Sequence, residues 1–531
     1  MNYKINEILS DKYTKIAIII TAIYCIATGI TATIFNPFFN MDSSIFYYYT
    51  GKQVLQGLGN EVFIPNAPLS YAVLSALTDD PFTHMKIISI FSTTGIIFFS
   101  YLIVRQIFNS KVAVLTTLFI SLYAGLQSHA YQIQTDVFPM FLLFVSFYYI
   151  TKRELNYKKI ILVAVFLGAS YSLKYPAAII AIGFLIFFLI YTKPRFKNAI
   201  LFFTVCVLVA SPVLIFNYSI TGEFTTSNSS SLILHEWNDV PSEWYEEQSY
   251  NDPFLVIKDM NLLFQNFSAH MYKGIFNTIL NFDGNWNNLS IFPLIPYLGM
   301  VPLFGGIYFV RKSIPENLKP LIITFLIFLP IMCIFAQITN PTRLFPPALI
   351  IPIFSALFFS KIKKNYLLIP ILIFIVLVNL GASGIMANWF LFENDTIYFW
   401  ENKNFKDQEL YDIAILLSQE EDIESKYLMA DSVMVSYYAN SKFIKYYTSW
   451  KSGNNIHDPI LDSNLEEHIT RKNWNAFDVH FSNFFSYPQI KNEHTLKIKP
   501  DYLLIEPQEK IPNGWSIIYQ SEKFTLYKIP K

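Results

Sequence analysis

Four charged side chains in an otherwise apolar chain have the type and position to do chemistry: Asp42, Asp136, Lys174 and Arg343. Asp42 stands in Asn40-Met41-Asp42-Ser43-Ser44, directly after the first long apolar run and before an aromatic stretch. A carboxylate there can take the proton from an acceptor hydroxyl as a general base. It can equally cap the helix expected over Ile45–Leu55, as can Ser43 or Ser44. Asp136, in Thr135-Asp136-Val137-Phe138-Pro139, heads another apolar run. Ionisable groups at membrane depth are costly and usually functional, although this one too is placed to cap a helix. Lys174, in Ser172-Leu173-Lys174-Tyr175-Pro176, and Arg343, in Asn340-Pro341-Thr342-Arg343, are lone cations at run boundaries. A departing phosphate needs fixed positive charge where its own negative charge grows. Each cation taken singly could be a snorkelling interface residue. Two acids and two cations at one depth are more telling together.

The elements that must hold these residues are membrane helices. The 531-residue chain is 53% hydrophobic and only 15% charged, whereas a soluble domain is about a quarter charged. Its net charge is zero, so nothing in the balance points to nucleic acid. Cys25, Cys206 and Cys333 all lie in apolar runs, which leaves no disulfide framework or CxxC metal site. A hydrocarbon core of roughly 30 Å takes about 20 residues per helix. At that length we read about eleven spans, near 16–35, 86–104, 112–127, 132–150, 160–173, 176–191, 199–217, 291–310, 320–336, 344–360 and 366–388. Lys4, Lys12 and Lys15 precede the first span with no small-residue cleavage site after it, the pattern of a retained signal anchor.

Positive loop charge sets the orientation. Arg105, Lys111, Lys152, Arg153, Lys193, Arg195, Lys197, Arg311, Lys312, Lys361 and their neighbours fall on one side with the amino terminus, which is therefore cytoplasmic. The external side then holds loops 36–85 and 218–290 and the charged region 394–531. The sequons at Asn228, Asn266, Asn288 and Asn394 all fall there. Residues 1–393 form the membrane domain under this reading, and 394–531 a small external α/β domain. That domain should have an amphipathic helix over Asp407–Leu417, strands at Tyr427 and Phe443 around a short helix near Val433–Tyr438, a buried strand from Tyr502 and a terminal hairpin.

Other segments have plainer readings. In Asp79-Asp80-Pro81, Asp80 is placed as a helix cap with Pro81 at the first helical position. The helix Ile45–Leu55 puts Ile45, Tyr48, Tyr49 and Leu55 on one face with Lys52 able to snorkel, as an interfacial helix would. His235-Glu236-Trp237 and Glu243-Trp244-Tyr245-Glu246-Glu247 could hold a metal or stack on a sugar, but their spacing is not specific. No cofactor is assigned, and a divalent metal is left open.

Taken in order, these pieces resemble the GT-C superfamily of polytopic membrane glycosyltransferases, most closely its family 39-like branch of protein O-mannosyltransferases and aminoarabinose transferases. The resemblance covers roughly residues 15–390. It rests on Asp42 after the first span, Gly51, Leu55 and Gly57 in the tyrosine-rich helix, Pro68-Leu69-Ser70-Tyr71, Thr135-Asp136-Val137 and Leu173-Lys174-Tyr175. Asn217-Tyr218-Ser219-Ile220-Thr221-Gly222 and Thr342-Arg343-Leu344-Phe345-Pro346-Pro347 complete it. It implies a sugar donor carried on a polyprenyl or dolichyl phosphate and transfer with inversion at the outer face. Asp42 would be the base and Asp136 the family's second acid. Lys174, Arg343 and Tyr71 would serve the donor's phosphate and substrate. The partners implied are that donor, the bilayer, and an acceptor protein, lipid or glycan. Two departures leave sugar and acceptor open: Ser43 follows Asp42 where many mannosyltransferases have Asp-Glu, and Ala67-Pro68 stands for Pro-Pro. The Trp-Trp-Asp-Tyr-Gly motif of oligosaccharyltransferases is absent. A transporter or a structural membrane protein is the competing class. A transporter should have internal repeats and broken helices at the midplane, whereas the charged residues here gather at the outer boundary.

Overall fold

The computed structural model describes residues 11–37, 48, 51–52, 54–55, 69–123, 126–127, 130, 136–221, 224, 259–272, 300–334, 349–388, 397–399, 408–430, 433–445, 501–505 and 514–530. Long apolar runs become helices because a helix satisfies its own backbone hydrogen bonds where water cannot. In chain order the first elements are α1 (Lys12–Ile34), the short strand β1 (Phe35–Pro37), α2 (Leu69–Ser75), α3 (Pro81–Ile107) and α4 (Ser110–Ser121). Next come α5 (Val137–Ile150), α6 (Tyr157–Leu173), α7 (Ala177–Tyr191) and α8 (Arg195–Thr221). The bundle continues with α9 (Met260–Tyr272), α10 (Met300–Val310), α11 (Lys319–Ile334), α12 (Ile350–Ser360) and α13 (Asn365–Asn388). Each of the eleven apolar runs thus holds a helix. Segments 12–32, 83–107 and 195–216 are, by length and composition, apolar enough to cross a membrane singly.

Buried hydroxyls do not break these helices because they bond back one turn. Thr116 gives its proton to the Val112 carbonyl at 3.0 Å, Thr117 to Ala113 at 2.8 Å and Ser100 to Ile96 at 2.7 Å. Close helix contact is set by small residues. A Cβ on Gly306 of α10 would lie 1.9 Å from the Phe354 carbonyl oxygen of α12, and one on Gly168 of α6 would lie 2.8 Å from the Cys206 carbonyl oxygen of α8.

One end of the bundle gathers the basic loops. Arg105, at the end of α3, lies 3.9 Å from Asp11, ahead of α1. Lys111, opening α4, donates to the Ser360 carbonyl at 2.9 Å, and the Asn317 amide donates to the Gln106 carbonyl at 3.4 Å. Lys111 so placed meets the negative end of the α12 dipole. At the opposite end β1 pairs antiparallel with β2 (Ile397–Phe399), Phe35 facing Phe399. The chain leaving α13 therefore enters its tail beside the end of α1.

The tail contains α14 (Gln408–Ser418), β3 (Tyr427–Ala430), α15 (Val433–Ala439), β4 (Lys442–Lys445), β5 (Tyr502–Ile505), β6 (Ser516–Gln520) and β7 (Thr525–Lys528). These strands form one sheet in the order β4-β3-β5-β7-β6. The first three are parallel, and β7 runs antiparallel to both β5 and β6. The apolar face of α14, with Ile413, Ala414 and Leu417, is fully buried, as its spacing requires. The helix over 408–418, the β3-α15-β4 unit, the buried Tyr502 strand and the hairpin match the elements read from the sequence. The sequon at Asn266 lies in α9 with its asparagine 2% exposed, donating to the Leu262 carbonyl at 3.0 Å. This site is closed to a glycan, a correction to its use as an external marker. The sequons at Asn228, Asn288 and Asn394 lie outside the described residues.

Candidate functional site

The site residues that the structure describes stand at the bundle end opposite the basic loops. Asp136 is the residue before α5, and its backbone is already helical (φ −82°, ψ −26°). Its carbonyl accepts the Met140 N–H at 3.1 Å, yet its carboxylate makes no capping hydrogen bond. The capping role that its position suggested is therefore not what the side chain does. One carboxylate oxygen, Oδ1, instead lies 2.9 Å from Lys174 Nζ.

Lys174 ends α6 in extended backbone (φ −158°, ψ 120°), with its N–H still bonded to the Ser170 carbonyl at 2.8 Å. Pro176, two residues on, has no N–H with which to continue the helix, so the chain turns and α7 begins at Ala177. The side chains of Lys174 and Asp136 are 16% and 11% exposed. A lysine that snorkels keeps its ammonium in water; this one turns inward to a carboxylate. One turn below, the Ser170 hydroxyl donates to the Pro139 carbonyl at 2.9 Å and fastens α6 to the first turn of α5. The rings of Tyr171 and Tyr175 lie 5.6 Å apart on either side of Lys174 in sequence.

Tyr71 is 1% exposed in α2, which packs on α6, α8 and α3. Tyr71, Ala72, Met85, Leu142 and Leu173 belong to one buried cluster, so α2 is seated at the end of α6 that presents Lys174. The helical segment at Tyr48, Gly51 and Lys52 rests on α2 in turn: a Cβ on Gly51 would lie 2.0 Å from the Ala72 carbonyl oxygen. Only glycine permits that approach.

A second ion pair stands at this end, and the sequence reading missed it. Asp80 caps α3, accepting the Thr83 N–H at 3.1 Å with Pro81 next, as read from the sequence. Asp79 is thereby left over, and it pairs with Lys52. The hydrogen bond from Lys52 holds the Asp79 carboxyl below its ordinary range, and the same bond raises the Lys52 ammonium. Lys52 also lies 5.4 Å from the Tyr48 ring centre. It is thus tied to the start of α3 rather than free to snorkel. The available signal was the spare acid: a cap needs one carboxylate, and Asp79-Asp80 offers two.

Asp42 and Arg343 lie outside the described residues, as do the His235 and Glu243–Glu247 segments. Among the described residues no group of three or more metal-binding side chains comes together. Of the four charged residues first singled out, the structure brings Asp136 and Lys174 into contact across 38 positions of sequence.

Residues 65–216, which carry Tyr71, Asp136 and Lys174, match the family model described as dolichyl-phosphate-mannose-protein mannosyltransferase. The whole chain superposes on the crystal structure of ArnT from Cupriavidus metallidurans bound to undecaprenyl phosphate. The TM-score is 0.55 at 9% identity, over 96% of this chain and 97% of that one. The fold is that of the GT-C, family 39-like membrane glycosyltransferases. A second match is the Archaeoglobus fulgidus oligosaccharyltransferase in its apo form, with a TM-score of 0.55 at 13% identity over 94% of this chain and 70% of that one. The archaeal oligosaccharyltransferase AglB from the same organism, in complex with an inhibitory peptide and a dolichol-phosphate, matches with a TM-score of 0.52 at 13% identity. That match covers 92% of this chain and 69% of the other. A sequence search among curated proteins returns no match. At these identities the superpositions speak for the fold.

Proposed function

We propose that the chain is an inverting glycosyltransferase that moves a sugar from a polyprenyl phosphate to a hydroxyl acceptor at the outer membrane face. The observation that carries this reading is the half-buried Asp136–Lys174 pair, within the segment that matches the mannosyltransferase model. Neither side chain is needed to cap a helix or to reach water. A fixed ammonium at this place can stabilise the oxygens of a phosphate that gains negative charge as it departs. Lys174 is the phosphate contact in this scheme, Asp136 the acid that holds it, and Arg343 a second cation. Tyr71 helps shape the substrate side of the same site. The undecaprenyl phosphate in ArnT and the dolichol-phosphate in AglB supply the class of donor.

The reaction needs one base. The acceptor oxygen forms a bond to the anomeric carbon as the bond from that carbon to the phosphate oxygen breaks, and Asp42 takes the hydroxyl proton. Phosphate leaves without being protonated, so a second carboxylate acting as acid is unnecessary, unlike in a glycosidase. Burial of the lipid tail in the bilayer positions the donor. We read all eleven apolar helices as spans, the amino terminus as cytoplasmic and the tail as an extracytoplasmic α/β domain beside the site. Hexosyl or pentosyl transfer, to protein, lipid or glycan, fits this scheme equally.

The test is sugar transfer from a radiolabelled polyprenyl phosphate donor to a mixed pool of protein and lipid acceptors, in membranes carrying the wild type, Asp42→Asn or Lys174→Ala. Loss of a general base costs about 10²–10⁴-fold in rate. Asp42→Asn should lose transfer while retaining donor, and Lys174→Ala should lose donor binding as well. Equal transfer by wild type and Asp42→Asn removes Asp42 as base. Label would then be followed in Asp136→Asn.

A further inference from the structure

At the basic end of the bundle, far along α6 and α8 from Lys174, the surface opens into a groove of about 690 Å³. It is lined by Tyr157 and Ile161 of α6 and by Lys197, Ile200, Leu201 and Thr204 of α8. The two helices run parallel, and their spacing explains the opening. They approach closely at Gly168, where a Cβ would lie 2.8 Å from the Cys206 carbonyl oxygen and 2.9 Å from Val209 Cβ. Toward their amino termini they carry Tyr157, Ile161, Ile200 and Leu201 in place of glycine, and the groove opens between them. Four of the six lining side chains are hydrocarbon or aromatic. Ile200 is 64% exposed, which suits a wall facing acyl chains rather than a packed core.

The mouth of the groove is cationic. Lys197 Nζ stands 5.1 Å from the Tyr157 ring centre, and among the described residues no carboxylate pairs with it. The stretch Lys193-Pro194-Arg195-Phe196-Lys197 brings three cations and no acid to this point. The mouth also lies at the positive dipole ends of both helices, one of 17 and the other of 27 residues. From Lys197 to Thr204 the groove follows α8 for seven residues, or about 10 Å. An ammonium at the headgroup level above about 10 Å of hydrocarbon wall fits one class of ligand.

We infer that this groove is a binding site for an acidic phospholipid. Its phosphate lies on Lys197 and its acyl chain lies along Ile161, Ile200 and Leu201. The positive loop bias places that lipid in the cytoplasmic leaflet, on the side opposite the transfer site. The inference stands apart from the glycosyltransferase reading, because it uses none of the residues assigned to transfer.

The test uses the purified full chain in detergent, titrated with phosphatidylglycerol or with phosphatidylcholine of identical acyl chains, with bound lipids counted by native mass spectrometry. The wild type should retain one phosphatidylglycerol in preference to phosphatidylcholine. Lys197→Glu should weaken it about 25-fold, since each basic residue near an anionic headgroup contributes roughly a fivefold factor and the reversal counts twice. Lys152→Glu is the control: its ammonium lies 2.8 Å from the Tyr148 hydroxyl on α5, at the same basic end but outside the groove, and its binding should match the wild type. Ile200→Trp, which fills the groove without touching charge, should displace the lipid as well. Equal retention of both lipids by the wild type, or unchanged binding in Lys197→Glu, overturns the proposal. So does competition by glycerophosphoglycerol at equal concentration, since that would make the site one for a free phosphate.

Discussion

Asp136 and Lys174 carry opposite charges into a mostly buried site, and such a pair offsets its own desolvation only while both partners are present. Removing one takes from the other a countercharge at 2.9 Å in a poor solvent for ions. Lys174→Met and Asp136→Asn should each destabilise the protein by about 3–5 kcal/mol, read as a drop in thermal unfolding temperature in detergent. The double substitution should recover much of that loss, because two neutral side chains have no stranded charge. Donor binding should stay absent in the double variant. Single variants as stable as the wild type would show that water reaches the pair, and would remove the argument that its burial reflects function. Lys52 and Asp79 make a useful contrast. Asp79 is almost fully exposed, so water screens the pair and its contribution to stability is small. Asp79→Ala should therefore leave the unfolding temperature nearly unchanged.

At the scale of elements, the site depends on helices that approach more closely than side chains ordinarily allow. Gly51 brings the tyrosine-rich segment against the Ala72 carbonyl of α2, and α2 is seated on α6. Gly51→Ala would set a methyl group 2.0 Å from that oxygen, so the segment must lift. Overpacking of this kind costs about 1–3 kcal/mol. The expected result is a folded protein with weakened transfer, since the displaced segment leads back toward Asp42 in sequence. Gly29→Ala is the matched control, because an added Cβ there meets nothing within 4 Å. Equal transfer by the two variants would mean that contact between Gly51 and α2 has no part in placing the site. The same reasoning bears on glycosylation: Asn266 is buried in α9, so peptide mass mapping after expression in a glycosylating host should find its sequon unmodified.

Across the whole molecule, the tail is held by its own polar clasp as well as by its core. The Tyr502 hydroxyl donates to Glu420 Oε2 at 2.9 Å, and Lys528 donates to the same oxygen at 2.9 Å. Glu420 follows α14, Tyr502 lies in β5 and Lys528 in β7, so one carboxylate joins helix to sheet. Lys528 and Tyr502 hold its carboxyl below the ordinary 4.5, while burial and the Glu420 hydrogen bond raise the Tyr502 hydroxyl. A carboxyl lowered in the folded state stabilises that state above its ordinary value and loses the contribution as pH falls through the lower one. The clasp should thus weaken below about pH 4.5, by no more than about 1 kcal/mol given the partial exposure of both partners. Hydrogen exchange over 501–530 should rise there in the wild type and should already be high at neutral pH in Glu420→Gln. A flat exchange profile across that range would remove the clasp from the account of tail stability.

Composition and hydropathy alone determined the helical bundle, because a helix in hydrocarbon is dictated by length and apolarity and needs no distant partner. They also determined which loops carry the basic charge, and period and turn residues located α14, the β3-α15-β4 unit and the terminal hairpin. Resemblance in short motifs pointed to the GT-C fold. What local pattern could not decide was any contact made between helices. Asp136 read as a helix cap or a functional acid, and Lys174 as a snorkelling or a phosphate-binding cation, since local neighbours suit either role. Their contact comes from the antiparallel packing of α5 on α6, stapled by Ser170 to the Pro139 carbonyl, which brings one side chain to the other. Asp79 found Lys52, and Asn266 was closed to a glycan, for the same reason. The groove beside Lys197 lay furthest beyond the sequence, because it is formed between two parallel helices that touch at Gly168. Burial and pairing between distant segments depend on how helices pack, and one-dimensional patterning does not encode that geometry.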